Sequence, residues 1–165
     1  MIGNLSSKLL QILILPILTT LLVSEEYGLY DVIVNTVNLF IPIITLQITQ
    51  GMFRDLFEAD EYEKKKIISS VLGVLVLGGL LLGIIMFLIN SFSGINFCIL
   101  IYFLFISNIM IEFTQKIARC ERKNTLMAIS GVILTFSLLS LEVFNLLVLK
   151  MKIDGLLLAN IVSGI

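Results

Sequence analysis

The chain contains no histidine, which removes the residue on which much acid–base chemistry, most proton relays and imidazole metal sites depend. Its two cysteines, Cys98 and Cys120, fall at opposite ends of one apolar run, too far apart for a disulfide and without metal-ligand spacing. No metal or other cofactor is expected. Charge is scarce: 14% of residues are charged, against about 25% in typical globular proteins. Residues 67–111 are 45 consecutive positions without any charge. Hydrophobic residues make up 58% of the 165 positions and mean hydropathy is +1.08, so a soluble domain is excluded. There is no Pro/Ser-rich linker and no low-complexity tract. A cleavable leader is not expected either, because only Lys8 precedes the first apolar run and Val23-Ser24-Glu25 lacks the small-x-small pattern.

What charge there is has a pattern. Nine of the eleven basic residues form three patches: Lys8, then Arg54 with Lys64, Lys65 and Lys66, then Lys116, Arg119, Arg122 and Lys123. The junctions between them (24–30 and 90–96) carry no Lys or Arg. Basic loops concentrate on the cytoplasmic side of membrane proteins, so the alternation predicts a multi-pass protein of the cytoplasmic (inner) membrane with its N-terminus in the cytoplasm. About 20 apolar residues span a bilayer. The expected helices are 6–23, 29–53, 66–89, 97–117 and 126–149, with a sixth from 155 to 165. Together they form one all-α, polytopic transmembrane helix bundle over 1–165. Residues 153–165 give roughly 20 Å of helix, too little to cross a core about 30 Å thick. The expectation is therefore a fragment whose partner is the missing C-terminal half of the same protein.

Polar residues inside these spans carry the functional expectation. Asp31, Asn35, Asn38, Pro42, Thr45 and Thr49 follow helical steps of 4, 3, 4, 3 and 4, placing all six on one face of a single helix. Lipid cannot satisfy such groups, so the face must meet protein or a watered cavity. Pro42 removes one backbone bond near the middle of the span and frees a carbonyl. Asn108, Glu112, Gln115 and Arg119 repeat the spacing on the fourth segment. Glu112 could pair with Lys116 one turn on or face a cavity. Glu142, with Thr135 and Asn145 on the same segment, is an acid that costs roughly 2.5–3.5 kcal/mol at membrane depth unless it meets water or a partner. Glu112 and Glu142 are the candidates for ion coupling. The glycines of the third segment, including Gly79-x-x-x-Gly83, read as close helix packing. The acidic-then-basic loop from Arg54 to Lys66 reads as a solvated loop whose lysines meet the headgroups.

At this point the sequence resembles polysaccharide flippases of the O-antigen or Wzx type, in the superfamily that includes the multidrug MATE exporters. The turn Ser24-Glu25-Glu26-Tyr27-Gly28-Leu29-Tyr30 is similar to the family's S-x-E-x-Y-G-x-Y, and Gly51-Met52-Phe53-Arg54 to its Gly-x-x-Arg. Residues 117–124 resemble its A-R-x-x-x-K inner loop, and Lys152 to Asn160 its G-x-x-G-x-L-x-A start of helix six. The resemblance implies a two-lobed bundle of about 12–14 helices, of which this chain would be most of one MATE-like lobe. It implies movement of an undecaprenyl-pyrophosphate-linked oligosaccharide between leaflets for surface polysaccharide biosynthesis. Arg54 and Arg119 match family positions. Asp31, Asn35, Asn38, Thr45 and Thr49 join them as substrate-binding candidates on the sequence alone.

The expected partners are thus membrane lipids and that lipid-linked oligosaccharide, with no nucleic acid and no enzymatic activity. Three other readings stay open. A multidrug or cation exporter of the same superfamily would favour buried acids over a neutral Asn/Thr stripe. A membrane-bound polysaccharide polymerase or glycosyltransferase would need a large loop, whereas the outer loops here are a few residues each. A non-transporting membrane scaffold would turn every polar stripe into helix–helix contact.

Overall fold

The computed structural model describes Pro16, Thr20 and residues 22–93, 98–121, 124–149 and 151–164. Most of the first expected segment lies outside these residues, as do Lys8, Arg122, Lys123 and Lys150. Six α-helices occur among the described residues: α1 (Ser24–Ile44), α2 (Ile48–Glu58), α3 (Glu61–Ser93), α4 (Cys98–Cys120), α5 (Asn124–Leu147) and α6 (Ile153–Ser163). No strand occurs among the described residues. Helices α1, α3 and α4 and the Ala128–Leu147 part of α5 are long and apolar enough to cross a membrane, while α6 is a shorter apolar helix. The protein has an all-α, multi-pass membrane fold, as the charge-free runs predict.

Beyond its charged first turns α3 is apolar all round, the mark of a membrane or fully buried helix. On α3, Leu77, Leu80, Leu81, Ile84 and Ile85 are each more than half exposed, a surface suited to lipid and not to water. The chain divides into two compact units, one of residues 1–36 and 123–165 and the other of residues 37–122.

In the first unit, α5 packs on α6. Its core is Leu22 and Leu156 with Tyr27, Tyr30, Leu139, Val143 and Leu146 around them. At one end Lys152 Nζ meets Glu26 Oε1 at 2.6 Å. In the second unit, α2 packs on both α3 and α4, and α3 packs on α4. The two small residues of the third segment set that last approach. A methyl group on Gly79 would sit 3.1 Å from Ile106 Cδ1, and one on Gly83 would sit 3.2 Å from the Tyr102 ring. This is the packing role expected of Gly79-x-x-x-Gly83.

The second expected segment is not one helix. It begins five residues earlier than 29 and is divided at Thr45–Gln47, where Leu46 (φ 49°) and Gln47 (φ 52°) are left-handed. Each left-handed non-glycine residue costs about 1–2 kcal/mol. The helix runs straight through Pro42 and breaks one turn later, with the Pro42 carbonyl accepting the Gln47 N–H at 3.1 Å. Beyond the break, Thr49, Met52 and Leu56 are each at most 2% exposed. Their steps of 3 and 4 turn one face of α2 inward, and burying two large apolar side chains, each worth about 1.5–3 kcal/mol, offsets the backbone strain. The Ile44 carbonyl at the break lies 4.0 Å from where a Cβ on Gly78 would be. Gly78 is near the middle of the 33-residue α3, which places the break at mid-depth in the second unit.

Candidate functional site

Three clusters contain the polar side chains. The one around the buried acid Glu142 belongs to the first unit. Glu142 of α5 is 2% exposed, about 7–8 Å inside the Leu147 end of its helix at 1.5 Å per residue. Its Oε1 accepts a hydrogen bond from the Tyr30 hydroxyl of α1 at 3.0 Å. The Asn160 amide of α6 donates in turn to the Tyr30 hydroxyl, so side chains from three helices converge. The second oxygen, Glu142 Oε2, is buried with no hydrogen-bond partner among the described residues. One turn along, Asn145 Nδ2 donates to the Gly155 carbonyl at 2.7 Å. Thr135 donates to Gly131 O within its own helix. Among the described residues this acid accepts from the neutral Tyr30 hydroxyl alone and leaves one buried acceptor unpaired.

The second cluster straddles the helix break. Thr45 donates to the Ile41 carbonyl at 2.9 Å, and Thr49 donates to Glu112 Oε1 of α4 at 2.9 Å. Glu112 is half-buried. Lys116 points elsewhere: its Nζ lies 5.9 Å from the Phe53 ring centroid, beside Arg119 Cζ at 6.0 Å. Both are within cation–π range. The Cys120 thiol donates to the Phe53 carbonyl at 3.6 Å. Arg119 is therefore brought beside the turn of α2 that carries the exposed Arg54.

The third group is the outer part of the polar stripe. Asp31, Asn35 and Asn38 are on one face of the continuous α1, and all three are exposed. The spacing of the stripe is present, but its surroundings are not uniform. Its α1 residues are uncovered, whereas Thr45 and Thr49 are 5% and 1% exposed and bonded inside the chain.

Sequence reasoning singled out Glu142 but missed Tyr30 and Asn160. Tyr30 is in an interfacial turn where an amphipathic ring is ordinary. Asn160 is the one amide in the otherwise apolar run from Gly155 to Val162, and that isolation was the available signal. The break at Leu46 and Gln47 was missed as well.

No curated protein and no solved structure matches the chain. The family model described as polysaccharide biosynthesis protein matches residues 1–165. With several helices long and apolar enough to span a bilayer, the chain belongs to the polysaccharide biosynthesis protein family and is a multi-pass membrane member of it.

Proposed function

We propose that this protein takes part in flipping a lipid-linked oligosaccharide, carried on undecaprenyl pyrophosphate, from the inner to the outer leaflet of the cytoplasmic membrane. In this reading it is a transporter and not an enzyme, its N-terminus is cytoplasmic, and a second lobe completes the cavity. The observation that carries the reading is the uncovered polar face of α1. Asp31, Asn35 and Asn38 are exposed on a helix able to span a bilayer, and hydrocarbon cannot satisfy them. A watered cavity does, and neutral amides suit sugar hydroxyls. Arg54, with Arg119 beside the same turn, supplies a planar fork of donors for the pyrophosphate. Thr45 and Thr49 would reach sugar only in a conformation that releases their present bonds. Of the two acids, Glu112 is engaged by Thr49, while Glu142 has an oxygen to spare and is the better group to couple transport to a proton or cation.

Cysteines placed at Asn35 and Asn38 should react with water-soluble thiol reagents in membranes. A cysteine at Ile43, 60% exposed on a different face of the helix, should not. Equal protection at all three positions would refute the cavity. Arg54→Ala should lower surface polysaccharide at equal expression, and normal export would remove Arg54 from the pyrophosphate role. The buried acid also favours a second reading, export of cationic drugs by the same superfamily. A deletion strain that becomes drug-sensitive with its surface polysaccharide intact would select that reading.

A further inference from the structure

Three adjoining clefts follow the α2–α3 boundary of the second unit. At mid-depth, a 210 Å³ cleft is framed by Leu46, Val74, Leu77 and Leu81 and opened by the bare backbone of Gly78. It shares Ile48 with a 350 Å³ cleft lined by Gly51, Met52, Ser70 and Val71. That cleft in turn shares Asp55, Lys66 and Ile67 with a third of 390 Å³ that includes Ala59 and Glu63. The lining thus changes along α3 from mainly apolar at Gly78, where Thr45 is the one polar side chain, to charged at Lys66. Those residues are 12 positions apart, about 18 Å of helix at 1.5 Å per residue. One leaflet of a core about 30 Å thick is about 15 Å deep, so the groove has the depth of a single leaflet. Its charged mouth is at the basic end of the helices, the cytoplasmic one by the positive-inside rule.

From this groove we infer a binding slot for an ethanolamine phospholipid, with one acyl chain against Gly78, the phosphate at Lys66, and the ammonium group between Asp55 and Glu63. The charge pattern selects the headgroup. One cation flanked by two carboxylates matches a phosphate joined by two carbons to an ammonium group. An anionic glycerol lipid would offer a phosphate and leave two carboxylates facing no cation. A pyrophosphate carrier would add a second negative charge to the same mismatch. The three side chains are exposed, and no ion pair among the described residues ties Lys66 to Asp55 or Glu63, so their charges are free to meet a lipid. The inference does not depend on the flippase reading, since the slot would serve any membrane protein with this face.

The test is lipid retention. The whole protein is incubated with vesicles of equimolar phosphatidylethanolamine and phosphatidylglycerol, extracted in mild detergent, and its bound lipids are counted by native mass spectrometry. A single charge contact at the headgroup level corresponds to about a fivefold preference, so wild type should retain ethanolamine lipid over glycerol lipid by about that ratio. Asp55→Asn with Glu63→Gln should abolish or invert the ratio. Lys66→Gln should lower ethanolamine-lipid retention. Gly78→Leu, at a position whose Cβ would meet only the Ile44 carbonyl at 4.0 Å, should fill the apolar end and lower retention of both lipids. Equal retention by wild type, an unchanged ratio after both carboxylates are neutralised, undiminished binding in Gly78→Leu, or displacement of the ethanolamine lipid by equimolar undecaprenyl phosphate would each overturn the slot.

Discussion

Breaking the Tyr30–Glu142 contact should cost more when the acid is present than when it is absent, and the difference can be measured. Tyr30→Phe removes the hydroxyl that donates to Glu142 Oε1 at 3.0 Å. Because Oε2 already has no partner, both oxygens of a side chain 2% exposed are then unsatisfied. Leaving a buried acceptor unpaired costs about 1–3 kcal/mol in water-soluble proteins. Interhelical bonds in membranes average about 0.6 and reach about 1.7 kcal/mol. A loss of about 1–2 kcal/mol is expected. Glu142→Met keeps the volume and removes the acid, so Tyr30→Phe on that background should lose only the Asn160 bond, about 0.5 kcal/mol. The coupling between the two changes should therefore be near 1 kcal/mol, read from reversible unfolding of the purified protein in mixed micelles. Additivity within about 0.3–0.5 kcal/mol, the range for independent sites, would refute the claim that these groups interact.

Thr49→Val should destabilise by about 1 kcal/mol, because Glu112 loses its donor. Thr49→Ser, which keeps the hydroxyl, should restore most of that loss in the same unfolding assay. Gly83→Val should cost about 1–3 kcal/mol through overpacking, since its first added carbon already meets the Tyr102 ring at 3.2 and 3.4 Å, and Tyr102→Ala should recover part of it. Gln47→Gly should raise stability, as glycine relieves a left-handed φ that costs about 1–2 kcal/mol; Gln47→Val should lower it, and the opposite order would show the break to be unstrained. Lys152→Met should change stability by less than about 1 kcal/mol, because the lysine of the Glu26 pair is 72% exposed.

The spans were legible because membrane insertion is governed by long-range composition. A charge-free stretch such as 67–111 has few physical outcomes other than two crossings and a turn. Gly79 and Gly83 were legible for a similar reason, their small size mattering only where another backbone approaches. The break at Leu46 and Gln47 could not be read the same way. Neither residue is a turn former, and the local preferences of Leu and Gln favour continuing the helix. The left-handed pair exists because α2 gains burial of Thr49, Met52 and Leu56 against α3 and α4, a tertiary gain invisible in a window of ten residues. Tyr30 and Asn160 were hidden by distance, since they lie 130 positions apart and neither departs far from the composition of its own segment.

That break changes what the polar stripe means. Steps of three and four residues put side chains on one face only while the helix is continuous, and two left-handed residues reset the phase. Up to Pro42 the stripe remains exposed. At the break Thr45 is buried and bonds back to the helix before it, and beyond the break Thr49 is buried and bonds to Glu112. One period in the sequence thus yields two physical roles. The threonine half is already satisfied and would stabilise the second unit whether or not anything is transported. Among the described residues the amide half has no internal partner, and a bilayer would leave Asn35 and Asn38 with several kcal/mol each of unmet hydrogen bonding. The stripe's claim to function therefore rests on Asp31, Asn35 and Asn38, and replacing these three with leucine separates the alternatives. If the face lines a cavity, the variant should insert and fold normally yet lose polysaccharide export. If the face is packing glue, folding should fail first.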